Sequence, residues 1–358
     1  MLAPVATTHA ASDWDLYMLR LVNRARQNPT AEPGIIGSAV TDPRAAVASL
    51  AYQANVGAAA TNHNNWMHDN FGNIASSDPP DSFTHYETLN GASNGTPATG
   101  TPSYTGVSLG TRITAAGFSW NSAGENITAR WSTSTIPVDR ARIDAAHKGW
   151  WESSGHRNNM LSGNYTVFGF HAESRSFAPP RGGLSSPIDN LHYATQDYAR
   201  PSSGPYTYVF GLLYDDVDGS GNWTPRDLTH AQHEGLGGVI FDVYTAGTST
   251  RVGGGTTMEN GAFSVRLGNG RYDVEFSLPD GVVTVADVVL NGANVDAGDI
   301  PAEAEPDELA MFVDCQNGPS RAPAPAVTGL SAQECRARFD YDADGDVDLR
   351  DYAAFIAN

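Results

Sequence analysis

The sequence is short of cysteine and of basic residues, and it has no long apolar run. Cys315 and Cys335 are its two cysteines in 358 residues, both near the C-terminal end. With no further ligands close by, a single Cys315–Cys335 disulfide is a simpler expectation than a zinc site, and a disulfide points outside the reducing cytosol. Basic residues number 21 against 40 acidic ones, giving a net charge of −19. That balance repels nucleic acid and anionic lipid surfaces, so a nucleic-acid role is set aside. No stretch reaches the apolar length of a membrane span, and no transmembrane segment is expected. Residues 1–11 lack a basic start and a long apolar middle, and do not read as a signal peptide.

What is present suits a folded protein of two or three domains: 40% of residues are hydrophobic, enough for a sizeable core. Ser12 and Asp15 make a capping box, Trp14, Tyr17, Met18, Leu21, Val22 and Ala25 follow at helical spacing, and Asn28-Pro29 ends the helix. Residues 44–70 also read as helical. Between Asp78 and Gly110 the chain turns to Pro, Gly, Ser and Thr, which puts His85 at the entrance of a long loop. Gly124-Glu125-Asn126 reads as a turn. Residues 138–151 read as a helix through Ile143, Ala146, His147, Trp150 and Trp151, where His147 and both tryptophans are more often packing residues than ligands. Ser154 or Gly155 then caps a short helix starting at His156. Val167–Ala172 and Leu191–Tyr198 are strand-like, so residues 12–200 form an α+β unit.

A composition shift at Pro201–Pro205 opens an all-β stretch over 205–299, with short strands between glycine turns, which fits a β-sandwich. Asn269-Gly270 between two alternating strands reads as a hairpin. Residues 300–330 read as a linker carrying Cys315, and 331–358 as a small calcium-loop module. In that module Asp340, Asp342, Asp344, Gly345, Asp346, Asp348 and Asp351 occupy positions 1, 3, 5, 6, 7, 9 and 12 of an EF-type loop, the pattern that wraps one hard cation in oxygen. Asp340, Asp342, Asp344, Asp346 and Asp351 are the expected calcium ligands. A looser loop, Asp216, Asp218, Ser220, Gly221, Asn222 and Asp227, repeats positions 1, 3, 5, 6, 7 and 12, with Asp216, Asp218, Ser220, Asn222 and Asp227 as ligands.

Several patterns recur in one order: Leu21 to Arg26, His63 with Met67, Phe83-Thr84-His85, Arg112 with Gly117-Phe118, Gly124-Glu125-Asn126-Ile127, Trp150 with Gly155-His156-Arg157, and Phe168-Gly169-Phe170. Together they resemble the bacterial branch of the CAP superfamily, the cysteine-rich secretory, antigen 5 and pathogenesis-related protein group. The resemblance implies an α-β-α sandwich with a cleft. It also implies that His85, Glu125 and His156 match three members of a cleft tetrad that in some members holds zinc or another divalent metal. The fourth acid of eukaryotic relatives falls at Ser153, and neighbouring Glu152 is rotated by ~100° on a helix. Residues 205–299 resemble calcium-stabilised β-sandwich repeats of bacterial surface proteins, and 331–358 a single dockerin-type half-repeat. Cohesin-binding dockerins carry two copies, so the module implies stability or attachment.

The expected protein is therefore extracellular or at the cell surface. The favoured function is non-catalytic binding of a lipid, glycan or peptide in the His85/Glu125/His156 cleft, with the C-terminal modules for spacing or attachment. Two alternatives stand beside it. One is an extracellular hydrolase with His85 or His156 as base and Glu125 orienting it or carrying metal; the other is a self-assembling subunit of a coat or filament.

Overall fold

The computed structural model describes residues 12–70, 83–87, 107–176, 190–217, 220–225, 234–279, 281–302, 308–317, 321–325, 330–348 and 350–351. Helix α1 (Asp13–Gln27) begins at the expected capping box, where the Ser12 amide donates to Asp15 at 2.7 Å and the Asp15 amide donates back to the Ser12 hydroxyl. Its buried stripe includes Leu16, Leu19, Val22 and Ala25. A one-turn helix, α2 (Glu32–Ile36), follows.

Residues 44–50 are not helical, contrary to the alanine-rich pattern. Side chains of α1 hold their backbone instead: Asn23 exchanges two hydrogen bonds with Leu50, at 2.9 and 2.8 Å, and the Arg26 guanidinium donates to the Ala48 carbonyl at 2.8 Å. Tertiary partners have overridden propensity. The chain then forms a short strand, β1 (Ala51–Tyr52), before helix α3 (Ala54–Asn70). Helix α4 (Leu109–Ala115), strand β2 (Trp120–Ser132), helices α5 (Arg140–Glu152) and α6 (Ser154–Met160), and strands β3 (Val167–Ser176) and β4 (Asn190–Pro201) complete this part. Helix α6 starts two residues earlier than the sequence suggested, with Ser153 at its N-cap.

These strands form one sheet in the order β1-β3-β4-β2, parallel between β1 and β3 and antiparallel elsewhere. Alternation assigns its two faces. On one face Thr195 bonds Asn64 of α3, and Gly169 lies against the start of α3 so closely that an added Cβ would stand 2.2 Å from the Gly57 amide. On the other face Gln196 meets Met18 of α1, and Phe170 meets Trp150 of α5. Helices thus cover both faces, an α-β-α sandwich.

Seven strands follow: β5 (Thr207–Tyr214), β6 (Ile240–Thr245), β7 (Arg251–Thr256), β8 (Ala262–Leu267), β9 (Gly270–Leu278), β10 (Gly281–Leu290) and β11 (Val295–Pro301). They make two sheets, β10-β9-β6-β7 and β11-β5-β8, whose facing sides share a core of Val209, Leu213, Phe241, Phe263, Val274 and Phe276. Asn269-Gly270 does not close a hairpin. Strand β8 pairs with β5, and β9 with β6 and β10, so this turn carries the chain from one sheet to the other.

The composition shift at Pro201–Pro205 does not separate two packed bodies. Tyr208, Phe210, Leu212, Tyr214 and Trp223 belong to the same buried cluster as Leu16, Leu19 and Tyr52. Asn260 donates to the Ser12 carbonyl at 2.9 Å, Ser264 to the Tyr52 carbonyl at 3.0 Å, and Asn294 to the Ser49 and Thr166 carbonyls. Arg20 pairs with Asp299 and lies 4.4 Å from the centre of the Trp223 ring. Residues 1–302 form one compact unit and 303–358 a second.

In the second unit, residues 308–315, read as linker, form helix α7 (Glu308–Cys315). Its Cys315 is disulfide-bonded to Cys335 on helix α8 (Ala332–Phe339), as the cysteine count suggested. Phe312, both cysteines, Phe339 and Val347 make a small core.

Candidate binding cleft

Strand β2 is the edge of its sheet, and Glu125 lies within it rather than in a turn. The Gly-Glu-Asn pattern misleads here because the glycine serves packing: an added Cβ at Gly124 would fall 2.4 Å from the Tyr165 hydroxyl. Register pairs Glu125 with Asp197 and Asn126 with Gln196. Glu125 therefore points to the α3 face and Asn126 to the other.

The buried Glu125 carboxylate is clamped from two directions. Its Oε1 accepts from His85 Nδ1 at 2.8 Å, and its Oε2 from the Arg112 guanidinium of α4. Arg112 also donates to the carbonyls of His85 and Val107, both at 3.1 Å, tying the two ends of the loop region to α4. Behind it, His63 of α3 is fully buried, with Nδ1 3.1 Å from Glu87 and Nε2 2.9 Å from the Thr84 carbonyl. Although burial raises its pKa, the charges of His63, Arg112 and His85 bring Glu125 down to about 2. It is an anion across the useful pH range.

His85 is oriented by this carboxylate, and its side chain remains 48% exposed. With Nδ1 engaged by Glu125, Nε2 is the ring nitrogen left for a ligand. His156 reaches the same edge from the opposite face. Its helix α6 is fastened to β2 by Asn126, which donates to the His156 carbonyl at 3.1 Å, and by Asn159, which donates to the Glu125 carbonyl at 3.0 Å. Burial and then the charge of His85 lower the His156 pKa from its ordinary value.

The structure thus joins His85 directly to Glu125 and places His156 within electrostatic range. It adds Arg112, His63, Glu87 and Asp197, none of which the sequence reading gave a role. Arg112 and His63 were visible as part of the family pattern; Glu87 and Asp197 carried no local signal. Glu152 is not in the cleft, because it accepts from Ser38 on the outer helical layer. His147 is a core residue bonded to buried Glu32 at 2.8 Å, and the Trp150 and Trp151 indoles donate to the Ile127 and Val40 carbonyls. A serine–histidine contact exists elsewhere, Ser174 with His192 at 2.8 Å, but burial pushes the His192 pKa down to about 4, which makes it a weak base.

Metal ligation divides differently from the tetrad pattern. Among the described residues, the groups of three or more potential ligand atoms lying within 4.8 Å of one another are Asp340/Asp342/Asp351 and Asp346/Asp348/Asp351. His85, Glu125 and His156 do not form such a group. In the C-terminal loop Asp340 accepts from the amides of Asp344 and Gly345, at 3.1 and 3.0 Å, and Gly345 turns the chain at φ +92°. Asp216 repeats this with Ser220 and Gly221, at 2.9 and 2.8 Å, where Gly221 has φ +72°. Asp218 and Asp227, the other carboxylates of that loop, lie outside the described residues.

Residues 19–178 match the family model described as "CAP: Cysteine-rich secretory protein family". The chain carries a CAP domain. The CAP match covers His63, His85, Arg112, Glu125 and His156; Asp197, on the last strand of the same sheet, falls beyond it. No curated protein matches the chain. Two crystal structures of BcpA, the major pilin subunit of Bacillus cereus, one of them a point variant, are similar over 32% of this chain at 10% and 11% identity. The likeness covers 43% and 44% of those chains with a TM-score of 0.17, so this chain spans less than half of their length.

Proposed function

We propose that this is a secreted or cell-surface CAP-domain protein that binds an extracellular ligand, a lipid, glycan or peptide, at the β2 edge without turning it over. The observation that carries this reading is the clamp on Glu125. Arg112 and His85 hold one buried anion, so His85 offers a fixed, half-exposed ring beside a second imidazole, His156. Two imidazoles at one edge suit recognition of hydroxyl or amide groups. They also leave room for a weakly held divalent ion between two nitrogens, which is fewer protein ligands than a zinc site uses.

The C-terminal unit and the Asp216 loop are read as calcium-stiffened elements for spacing or attachment. The two carboxylate groups that share Asp351, and the matching turns at Asp340 and Asp216, support calcium there.

The test compares the full chain with a His85→Ala/His156→Ala variant. Immobilised cell-wall glycan, phosphatidylcholine vesicles and a peptide library are presented to each. Expected is at least tenfold weaker retention of one probe class by the variant; equal retention of every class would sink the cleft reading. The hydrolase reading rests on the Glu125–His85 pair, which has the form of an oriented base. Turnover of an ester or peptide that disappears with His85→Ala would replace binding with catalysis.

A further inference from the structure

Asp197 has no part in the clamp, yet it is among the most buried groups of the first unit. It lies directly across the antiparallel ladder from Glu125, on the same face, with no exposed surface. Neither of its carboxylate oxygens meets a donor. Two carboxylates opposite one another on neighbouring strands repel, and a buried anion without donors is the costliest polar state a core can hold.

The neighbouring donors are aimed elsewhere. Arg112 gives its terminal nitrogens to Glu125 and to the carbonyls of His85 and Val107. The His63 ring nitrogens lie against the Glu87 carboxylate and the Thr84 carbonyl.

We infer that Asp197 is a positioning residue of the cleft: a neutral carboxylic acid that donates its proton to the Glu125 carboxylate and so fixes the oxygen that accepts from His85. One proton then serves two carboxyl groups, and both Asp197 oxygens cease to be bare anions. Burial first, and then the charge of Glu125, raise the Asp197 pKa well above its ordinary value, in the opposite direction from its partner. Pairs whose environments push them apart in this way divide into a donor and an acceptor. The chain follows as Asp197 to Glu125 to His85: the acid orients the carboxylate, the carboxylate selects the Nδ1-protonated tautomer, and Nε2 is presented to the ligand. This deepens the cleft reading and rests on it for its purpose, while the hydrogen-bond chain exists without ligand.

Infrared spectroscopy of the ligand-free full chain with carbon-13-labelled aspartate tests the protonation directly. At pH 7 one protonated aspartate carbonyl band is expected, lost in Asp197→Asn; a spectrum in which that substitution removes no such band would overturn the inference. Ring nitrogen-15 spectra test the positioning. His85 should hold the Nδ1–H tautomer in the native chain and in Asp197→Asn, whose amide still donates, and become a mixture in Asp197→Leu. An unchanged tautomer in a folded Asp197→Leu protein would also overturn it. If the leucine variant does not fold, the infrared result with the near-isosteric asparagine decides. A protein that shows the band but retains no probe would refute the binding reading and leave the Asp197 assignment standing.

Discussion

Glu125 sits at the meeting point of three partners, and single substitutions there should separate their contributions. Glu125→Gln leaves Arg112 buried beside a neutral amide, the situation in which one half of a buried pair has been removed. A loss of about 3–5 kcal/mol in urea unfolding is expected. His85→Ala removes a half-exposed ring at the end of the chain of bonds, so its cost should stay within about 1 kcal/mol. Acid should unfold the protein in stages. Burial pushes His68 and His192 down to about 4, so between pH 6.5 and 4 the unfolded chain binds their protons and the native state does not. Stability is therefore lost as pH falls through that window, by at most about 3 kcal/mol for each ring. Glu125, depressed to about 2, adds a further loss from about pH 4.5 downward. Asp197 has the opposite sign: its raised pKa contributes stability present in acid and lost as pH rises through its native value. In Asp197→Asn, which lacks the opposing group, the urea midpoint should fall from pH 7 to pH 4, and a flat midpoint over that range would refute the two buried histidines.

At the scale of elements, local signals were legible and pairings were not. Helix α1 could be read because Ser12, Asp15 and the apolar stripe are neighbours in sequence, and α8 repeats the same box with Ser331 and Glu334. Residues 44–50 were misread because what straightens them, Asn23 and Arg26, sits on another element. Glu125 was found by its family pattern, but its cross-strand partner is a matter of register, which no local spacing encodes. The close contact between β3 and α3 gives a clean test. Gly169→Ala must push a methyl into the backbone of Val56 and Gly57, with no flexible side chain to yield, and should cost about 2 kcal/mol or more by thermal unfolding. Gly155→Ala, which meets open space on α6, should change stability by less than about 0.5 kcal/mol. In the second unit, calcium should raise the melting transition of the disulfide-linked helices, and Asp351→Asn should abolish that rise, because Asp351 belongs to both carboxylate groups. Calorimetry with calcium and then with chelator measures both; a transition indifferent to calcium would remove the loop assignment.

The whole molecule behaves as fewer bodies than its composition suggests. The shift at Pro201 marks a change from mixed to all-β sequence, yet the apolar side chains of β5 are buried with those of α1 and β1. The first 302 residues should melt in one calorimetric transition, and a chain ending at residue 204 should be less stable than the intact unit and expose apolar surface to a hydrophobic dye. Trp223→Ala should loosen both halves together, because this ring is buried in the shared cluster and carries the Arg20 guanidinium on its face. Two separate transitions in the intact protein would show that the shared core contributes little.

That shared core also has a mechanical meaning. Ser12, Tyr52, Ser49 and Thr166 are held by side chains of the β-rich half, and these four positions flank α1, β1 and the start of β3. A tether pulling through β11 would load α1 by way of Asp299 and Arg20 before it could stretch the connection at Pro205. The cleft would then keep a fixed heading relative to β11, as a blade does on a rigid handle, and a chain cut at residue 204 would carry a loose blade.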